Sequence, residues 1–323
     1  MRYCLCLSYD GAEFCGWQIQ PSAPSVQQCL EGALSRLLNR PVSVTGAGRT
    51  DTAVNACGYI AHFDIEGELP FTQADLCYKL NAILPRSVAV LQVLPVADDF
   101  HARYSAKRRE YTYFIHRLKD PFVRHYSWQC GYPELDFDAM NAACSFLLGT
   151  HDFSCFEKTG TDVKTSICTV YEAFWKPYTP SHLSVMTEGG NTLPGDSVPL
   201  RSTPAPPIAS CVLSSSESLQ ASLSSFAPRK ELVFNGPLPL PVCGGAHAPG
   251  SVFPPSVSDY WYFRVSADRF LRNMVRAIVG SLIEVGRGRQ SPEWIAELIA
   301  NGTRGDAGES VPGHALFLSK VLY

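Results

Sequence analysis

GAGRTDTAVNACGYIAHFD, residues Gly46 to Asp64, is the stretch on which the reading of the chain turns. Gly46 and Gly48 allow a tight backbone path immediately before Arg49 and Asp51. PVSVTGAG ahead of the loop and the run from Cys57 to Asp64 both read as strands, so the arginine and the carboxylate are delivered together at a strand end. The loop lacks the lysine of a phosphate-binding P-loop and the third glycine of a dinucleotide fingerprint, so neither nucleotide motif applies. Taken alone, an Asp after Gly-Arg-Thr is more often a turn former than a catalyst.

Working outward, RYCLCLSYD alternates like a strand, and Ser25 with Gln28 forms a capping box ahead of Val26, Cys29, Leu30, Ala33, Leu34, Leu37 and Leu38 at helical spacing. TQADLCYKLNAIL reads as a helix and SVAVLQVLPV as a strand, which makes the first hundred residues β-α-β-β-α-β. The remainder repeats the pattern. REYTYFIHR, TSICTVYEAFW, YWYFRVSA and HALFLSKVLY read as strands, with helices near DFDAMNAACSFLLG and from Arg269 to Glu284. In that last helix an apolar stripe of Leu271, Met274, Val275, Ile278, Val279 and Leu282 lies beside a row of Arg269, Arg272 and Arg276. A final short helix is expected with Ser291 as its N-cap and Pro292 at its first position. The simplest fold class is therefore α+β, built from two split β-α-β (ferredoxin-like) halves. The expected boundaries are 1–100 and 101–323, the second half being interrupted at about 177–258. That interruption holds 14 of the 24 prolines and is rich in Ser, a composition that favours disorder or loose packing.

Composition narrows the function classes. The chain has 323 residues, 46% of them hydrophobic, enough to bury a substantial core. Asp10 and Glu13 interrupt the N-terminal stretch before any run suited to a signal peptide or membrane span, so a cytoplasmic protein with no membrane partner is expected. The 12 cysteines include no CxxC pair and fall in apolar patterns, which favours buried reduced thiols. The histidines show no metal spacing, so no metal site is expected. Net charge is -3, yet His101 to His125 carries seven Lys or Arg against two acids, and Arg264 to Arg289 carries six against two. Both segments offer charge for neutralising phosphates; solvated charged faces are the plainer alternative.

The Gly46–Asp64 segment resembles the active-site motif of the tRNA pseudouridine synthase A (TruA) family, and further signatures of that family follow in order. They are SYDGAEFCGWQIQP, SVQQCLEGAL, FHARYSAKRREYTYFI, GTHDFSCF, and RFLRNMVRAIVGSLIEVGRG with the closing AGESVPGHALFLSKVLY. The resemblance covers the chain apart from the Pro/Ser-rich stretch. It implies the pseudouridine synthase fold, with antiparallel or mixed sheets and an RNA cleft between the halves. It implies a homodimer that isomerises uridines in the anticodon stem-loop of tRNA and needs no cofactor. Asp51 is then the essential carboxylate, acting as nucleophile or as base in a glycal route. Arg276 pairs with it, Tyr111 stacks on the target base and could assist proton removal, and Leu271 forms the apolar wall opposite. Arg49 holds the flipped-out nucleotide or fills its place in the stem. Arg108, Arg109 and Arg272, from the two basic segments, are expected substrate contacts. Tyr113 is expected on the face of Tyr111, and either tyrosine could equally be core filling.

Two positions depart from the family pattern. Ala53 stands where the family usually has Gly, which brings strain if the backbone there has positive φ. Asn55 stands where His is usual; it can donate and accept hydrogen bonds but does not titrate. These departures leave room for an RNA-binding pseudoenzyme or folding helper that kept the cleft without turnover. A cytosolic α+β enzyme of small-molecule metabolism is a further alternative, at odds with the basic segments and the missing cofactor motif.

Overall fold

In the computed structural model, residues 1–160, 165–181 and 259–323 are described. The Pro/Ser-rich stretch, apart from 177–181, lies outside the described residues, as do the expectations attached to it. The first half comprises β1 (Arg2–Tyr9), α1 (Val26–Leu38), β2 (Val44–Gly46), β3 (Asn55–Asp64), α2 (Gln73–Ile83) and β4 (Val88–Val96). The second comprises β5 (Arg108–His116), β6 (Trp128–Gln129), α3 (Phe137–Cys144), β7 (Gly149–Asp152), β8 (Ile167–Pro177), β9 (Tyr260–Ala267), α4 (Met274–Gly286), α5 (Trp294–Asn301) and β10 (Leu316–Leu322).

The expected pair of split β-α-β units is present, and the strand order is the same in each: β4-β1-β3-β2 and β10-β5-β9-β8. They are not separate sheets. β3 pairs with β2 at Ala61–Phe63 and with β10 at Asn55–Ala56, so one strand edge serves both partners and the halves fuse into a single 10-stranded sheet. The β3–β10 junction is parallel and only two residue pairs long, Phe317 with Asn55 and Leu318 with Ala56.

Local chemistry explains where most elements start and stop. Ser25 accepts a hydrogen bond from the Gln28 N–H at 3.2 Å, opening α1, whose Val26, Leu30, Ala33 and Leu34 face the core; Asn39 ends it in the left-handed conformation. Two helix starts differ from expectation. α4 begins at Met274 and not at Arg269, because Asn273 has φ 66° and so cannot continue a right-handed helix; its side chain donates to Ser310 Oγ at 2.5 Å. Arg269 and Arg272 therefore lie on an irregular segment ahead of the helix. α5 begins at Trp294, because Ser291 to Glu293 form a tight turn whose carbonyls accept from residues three further on.

α4 is buried along most of its length and seats the chain that follows α5. A Cβ on Gly280 would lie 1.8 Å from the Glu309 carbonyl oxygen, so the backbone of 308–309 rests in a notch that only glycine leaves open. Ser281 accepts from the Gly308 N–H at 2.9 Å in the same notch. The ten cysteines of the described residues are all free, six of them buried, and burial pushes the thiols of Cys155 and Cys168 up to about 12. None of the described helices is long and apolar enough to cross a membrane.

Among the described residues, three non-glycines have positive φ: Asn39, Asn273 and Ala53 at 62°. Asparagine tolerates that region, whereas alanine there costs roughly 1–2 kcal/mol. The strain anticipated at Ala53 is thus present. Ala53→Gly is expected to raise unfolding free energy by about 0.5–1 kcal/mol in urea titration, the relieved strain exceeding the added entropy of the unfolded glycine. Gly280→Ala should act in the opposite sense, lowering stability by roughly 3 kcal/mol in the same titration, because the obstructing atom is backbone and has little room to yield.

Candidate active site

The loop between β2 and β3 is held by backbone pressed against backbone. A Cβ on Gly16 would lie 2.2 Å from the Thr50 carbonyl oxygen, one on Gly11 would lie 2.3 Å from that of Val54, and one on Gly313 would lie 2.5 Å from that of Thr52. Two segments, the β1–α1 connection and the approach to β10, therefore enclose the turn that carries Asp51. Hydrogen bonds fix its height: the Trp17 N–H donates to Thr50 O at 3.3 Å, the Ala53 N–H to Phe14 O at 3.3 Å, and the Val54 N–H to Asp51 O at 3.2 Å. Beneath the loop, Trp17 stacks on Tyr59 with ring centroids 4.1 Å apart, the Tyr59 hydroxyl donates to the Gly48 carbonyl, and the Tyr9 hydroxyl meets Thr50 Oγ1 at 2.9 Å. This aromatic floor explains why Gly46 has no side chain: a Cβ would fall 2.2 Å from the Tyr59 hydroxyl.

Asn55 is almost fully buried and uses both ends of its amide. Oδ1 accepts from the Gly11 N–H at 2.8 Å and Nδ2 donates to the His314 carbonyl at 2.7 Å, which ties β1's turn, the start of β3 and the approach to β10 together. A neutral donor and acceptor is what these two partners require.

Arg276 reaches Asp51 from the other half of the sheet. Its Nε donates to the Val311 carbonyl at 2.6 Å while the Val311 N–H donates back to the Arg276 carbonyl at 3.3 Å. So anchored, a terminal nitrogen lies 3.7 Å from Asp51 Oδ2, and both side chains keep about a quarter of their surface exposed. Tyr111 is buried on β5, edge-on to Phe270 with centroids 5.0 Å apart. Its phenol is pushed up to about 12, by burial first and by the nearby Asp51 carboxylate in the same sense, with Arg109 opposing. Tyr111 therefore stays protonated across the working pH range. Tyr113, on the same face of β5, is buried and donates to the Pro312 carbonyl at 3.1 Å. Leu271 is buried in the core next to Phe270, and Arg49 is exposed at the rim of the loop.

The remaining arginines divide. Arg272 is exposed, its carbonyl fixed by the Lys158 N–H at 3.0 Å. Arg108 and Arg109, expected as substrate contacts, are engaged within the fold. Neighbours on a strand point to opposite faces. Arg108 accordingly turns away from Tyr111, donates to Ser266 Oγ, pairs with Glu172 at 3.6 Å and covers the Tyr171 ring at 5.2 Å. Arg109 shares the face of Tyr111, but its guanidinium donates to three backbone carbonyls: Ala47 at 3.0 Å, Asp268 at 2.7 Å and Arg103 at 2.6 Å. Among the described residues no group of His, Cys, Asp and Glu gathers as a metal site would need. The sequence reading missed Phe270, Val311 and the three glycines that clasp the loop. All five lie inside the stretches quoted for the family resemblance, but nothing in their type marks them apart from ordinary loop residues.

Comparison with known proteins agrees with this geometry. The sequence model for tRNA pseudouridine synthase matches residues 5–105 and 143–323. The chain is similar over its whole length to tRNA pseudouridine synthase A of Parabacteroides distasonis, 37% identical and covering 96% of that protein. It is 38% identical to that of Bacteroides thetaiotaomicron, covering 90% of it, and 34% identical to that of Porphyromonas gingivalis, covering 97% of it. With a carboxylate, an anchored arginine and a buried tyrosine converging from both halves of such a chain, the protein belongs to the tRNA pseudouridine synthase family.

Proposed function

We propose that this protein isomerises uridine to pseudouridine in tRNA, on uridines of the anticodon stem-loop, as a cytoplasmic homodimer. The observation that carries the reading is the Asp51–Arg276 pair, formed by an arginine whose orientation is set by Val311 before any substrate arrives. Preorganised charge of this kind costs no rearrangement as the transition state forms. The finer elements, namely the stem-loop, the dimer and the compartment, are supported by the family resemblance.

In the reaction the bond between the ribose C1′ and the uracil N1 breaks, the base turns, and a bond forms from C1′ to C5. The C5 proton leaves to solvent and N1 gains one, so every heavy atom is retained and no redox carrier is chemically required. Asp51 serves as the nucleophile at C1′ or as the base of a glycal route. The uridine must first leave its stack, at roughly a few kcal/mol. In this reading Arg272, exposed ahead of α4, contributes phosphate attraction that offsets this cost, and Arg49, exposed on the Asp51 loop, holds the flipped-out nucleotide or fills its place in the stem. Tyr111 offers the detached base a ring face, with Phe270 and Leu271 closing the apolar side. With its phenol pushed up to about 12, mainly by burial, Tyr111 is not a ready base at neutral pH.

The test is tritium release from tRNA labelled at uridine C5. Wild type should release tritium and Asp51→Asn should not, while tRNA binding persists; a folded wild type that binds tRNA without release overturns the isomerase reading in favour of a pseudoenzyme. Arg276→Met should lower the rate by about a hundredfold or more with binding nearly retained, as expected for a group that acts on developing charge. Arg272→Ala should instead weaken tRNA binding and reduce the slope of log Kd against log salt by about one.

A further inference from the structure

The geometry points to Arg109 as a positioning residue that sets the spacing between the Asp51 loop and the opposite wall of the base pocket. Its fork reaches two segments that are 221 residues apart in numbering and belong to different halves. On one side Nε and a terminal nitrogen both donate to the Ala47 carbonyl, at 3.3 and 3.0 Å. Ala47 lies on the loop that continues through Arg49 to Asp51. On the other side the second terminal nitrogen donates to the Asp268 carbonyl at 2.7 Å. Asp268 begins the irregular segment that carries Phe270, Leu271 and Arg272.

Each end of the strap is itself fixed. The Ala47 N–H donates to Ile60 O at 2.8 Å, and the Asp268 carboxylate accepts from the N–H groups of Thr169 and Arg269 at 2.8 and 2.7 Å. A third carbonyl, that of Arg103, holds the guanidinium from behind at 2.6 Å. Four hydrogen bonds to three carbonyls leave the cation without a carboxylate in that set, which is a poor arrangement for gripping phosphate and a good one for holding two backbones at a fixed distance. Because Tyr111 stands two residues along the same strand and on the same face, one strand supplies both the spacer and a surface for the base.

A lysine carries the same charge but cannot divide its donors between two carbonyls in this planar fork. Arg109→Met and Arg109→Lys are therefore both expected to lower the single-turnover rate of tritium release at saturating tRNA by about a hundredfold, the scale of an ångström-level misplacement. The Kd for tRNA and its salt slope should stay at wild-type values. Retention of the rate by Arg109→Lys, with a weaker Kd and a salt slope lowered by about one in Arg109→Met, identifies a phosphate contact and overturns the assignment. Lower thermal stability with an unchanged rate in either variant shows a merely structural arginine and overturns it as well. Should Arg109→Met fail to fold, the lysine variant decides alone, rate loss with unchanged binding supporting the assignment and wild-type rate refuting it. The inference rests on the isomerase reading, whose own failure is distinct: it shows as an inactive wild type, not as active variants.

Discussion

Two residue pairs of parallel strand, Asn55 with Phe317 and Ala56 with Leu318, are the junction on which the arrangement depends. They join two units of identical strand order into one sheet, and they do so at the residue where the Asp51 loop returns to β3. So short a ladder contributes little by itself. Its register is secured by side chains at the same point: Asn55 bridges Gly11 and His314, Tyr113 holds Pro312, and Arg109 spans Ala47 and Asp268. The carboxylate comes from one half, while the arginine and tyrosine beside it come from the other, so the geometry of the site is the geometry of the junction.

That dependence explains why the loop tolerates a strained residue. Ala53 sits at φ 62° because Gly11, Gly16 and Gly313 enclose the turn and leave it no other path. The surrounding contacts over-determine the backbone, and a cost of roughly 1–2 kcal/mol is absorbed without a change of course. The same enclosure accounts for Asn55 in place of the usual histidine. The position is buried between one N–H and one carbonyl, and an amide satisfies both without a titrating group.

Much of this was legible in the sequence where periodicity or capping carried it. α1 opens at Ser25 as its capping pattern indicates, and the strands around the loop fall where alternation places them. The start of α4 was hidden because the helical stripe continues backwards through Leu271, while the left-handed Asn273 that stops the helix depends on Ser310, 37 residues away. Fusion of the two halves was hidden for a similar reason. Nothing within β3 or β10 records that β3 reserves part of its edge for β2 and part for β10.

The roles of the arginines were the least legible, and the cause is physical. A local count of charge treats every guanidinium as available to phosphate, yet this fold uses guanidinium groups repeatedly to clasp backbone carbonyls that lie outside regular hydrogen-bonded ladders. Arg2 donates to Phe100, Arg109 to Ala47, Asp268 and Arg103, Arg117 to Pro133, Arg276 to Val311 and Arg304 to Gly308. A buried carbonyl left unpaired is costly, and a planar fork can satisfy two at once where a lysine cannot. Of the basic segment from His101 to His125, Arg108, Arg109 and Arg117 are engaged in this way or by neighbouring side chains. Arg49 and Arg272 are exposed by contrast, as are Arg103 and Lys107 just ahead of β5. A count of charge along the sequence cannot separate these two uses, because which carbonyls lack a ladder partner is decided only when distant segments meet.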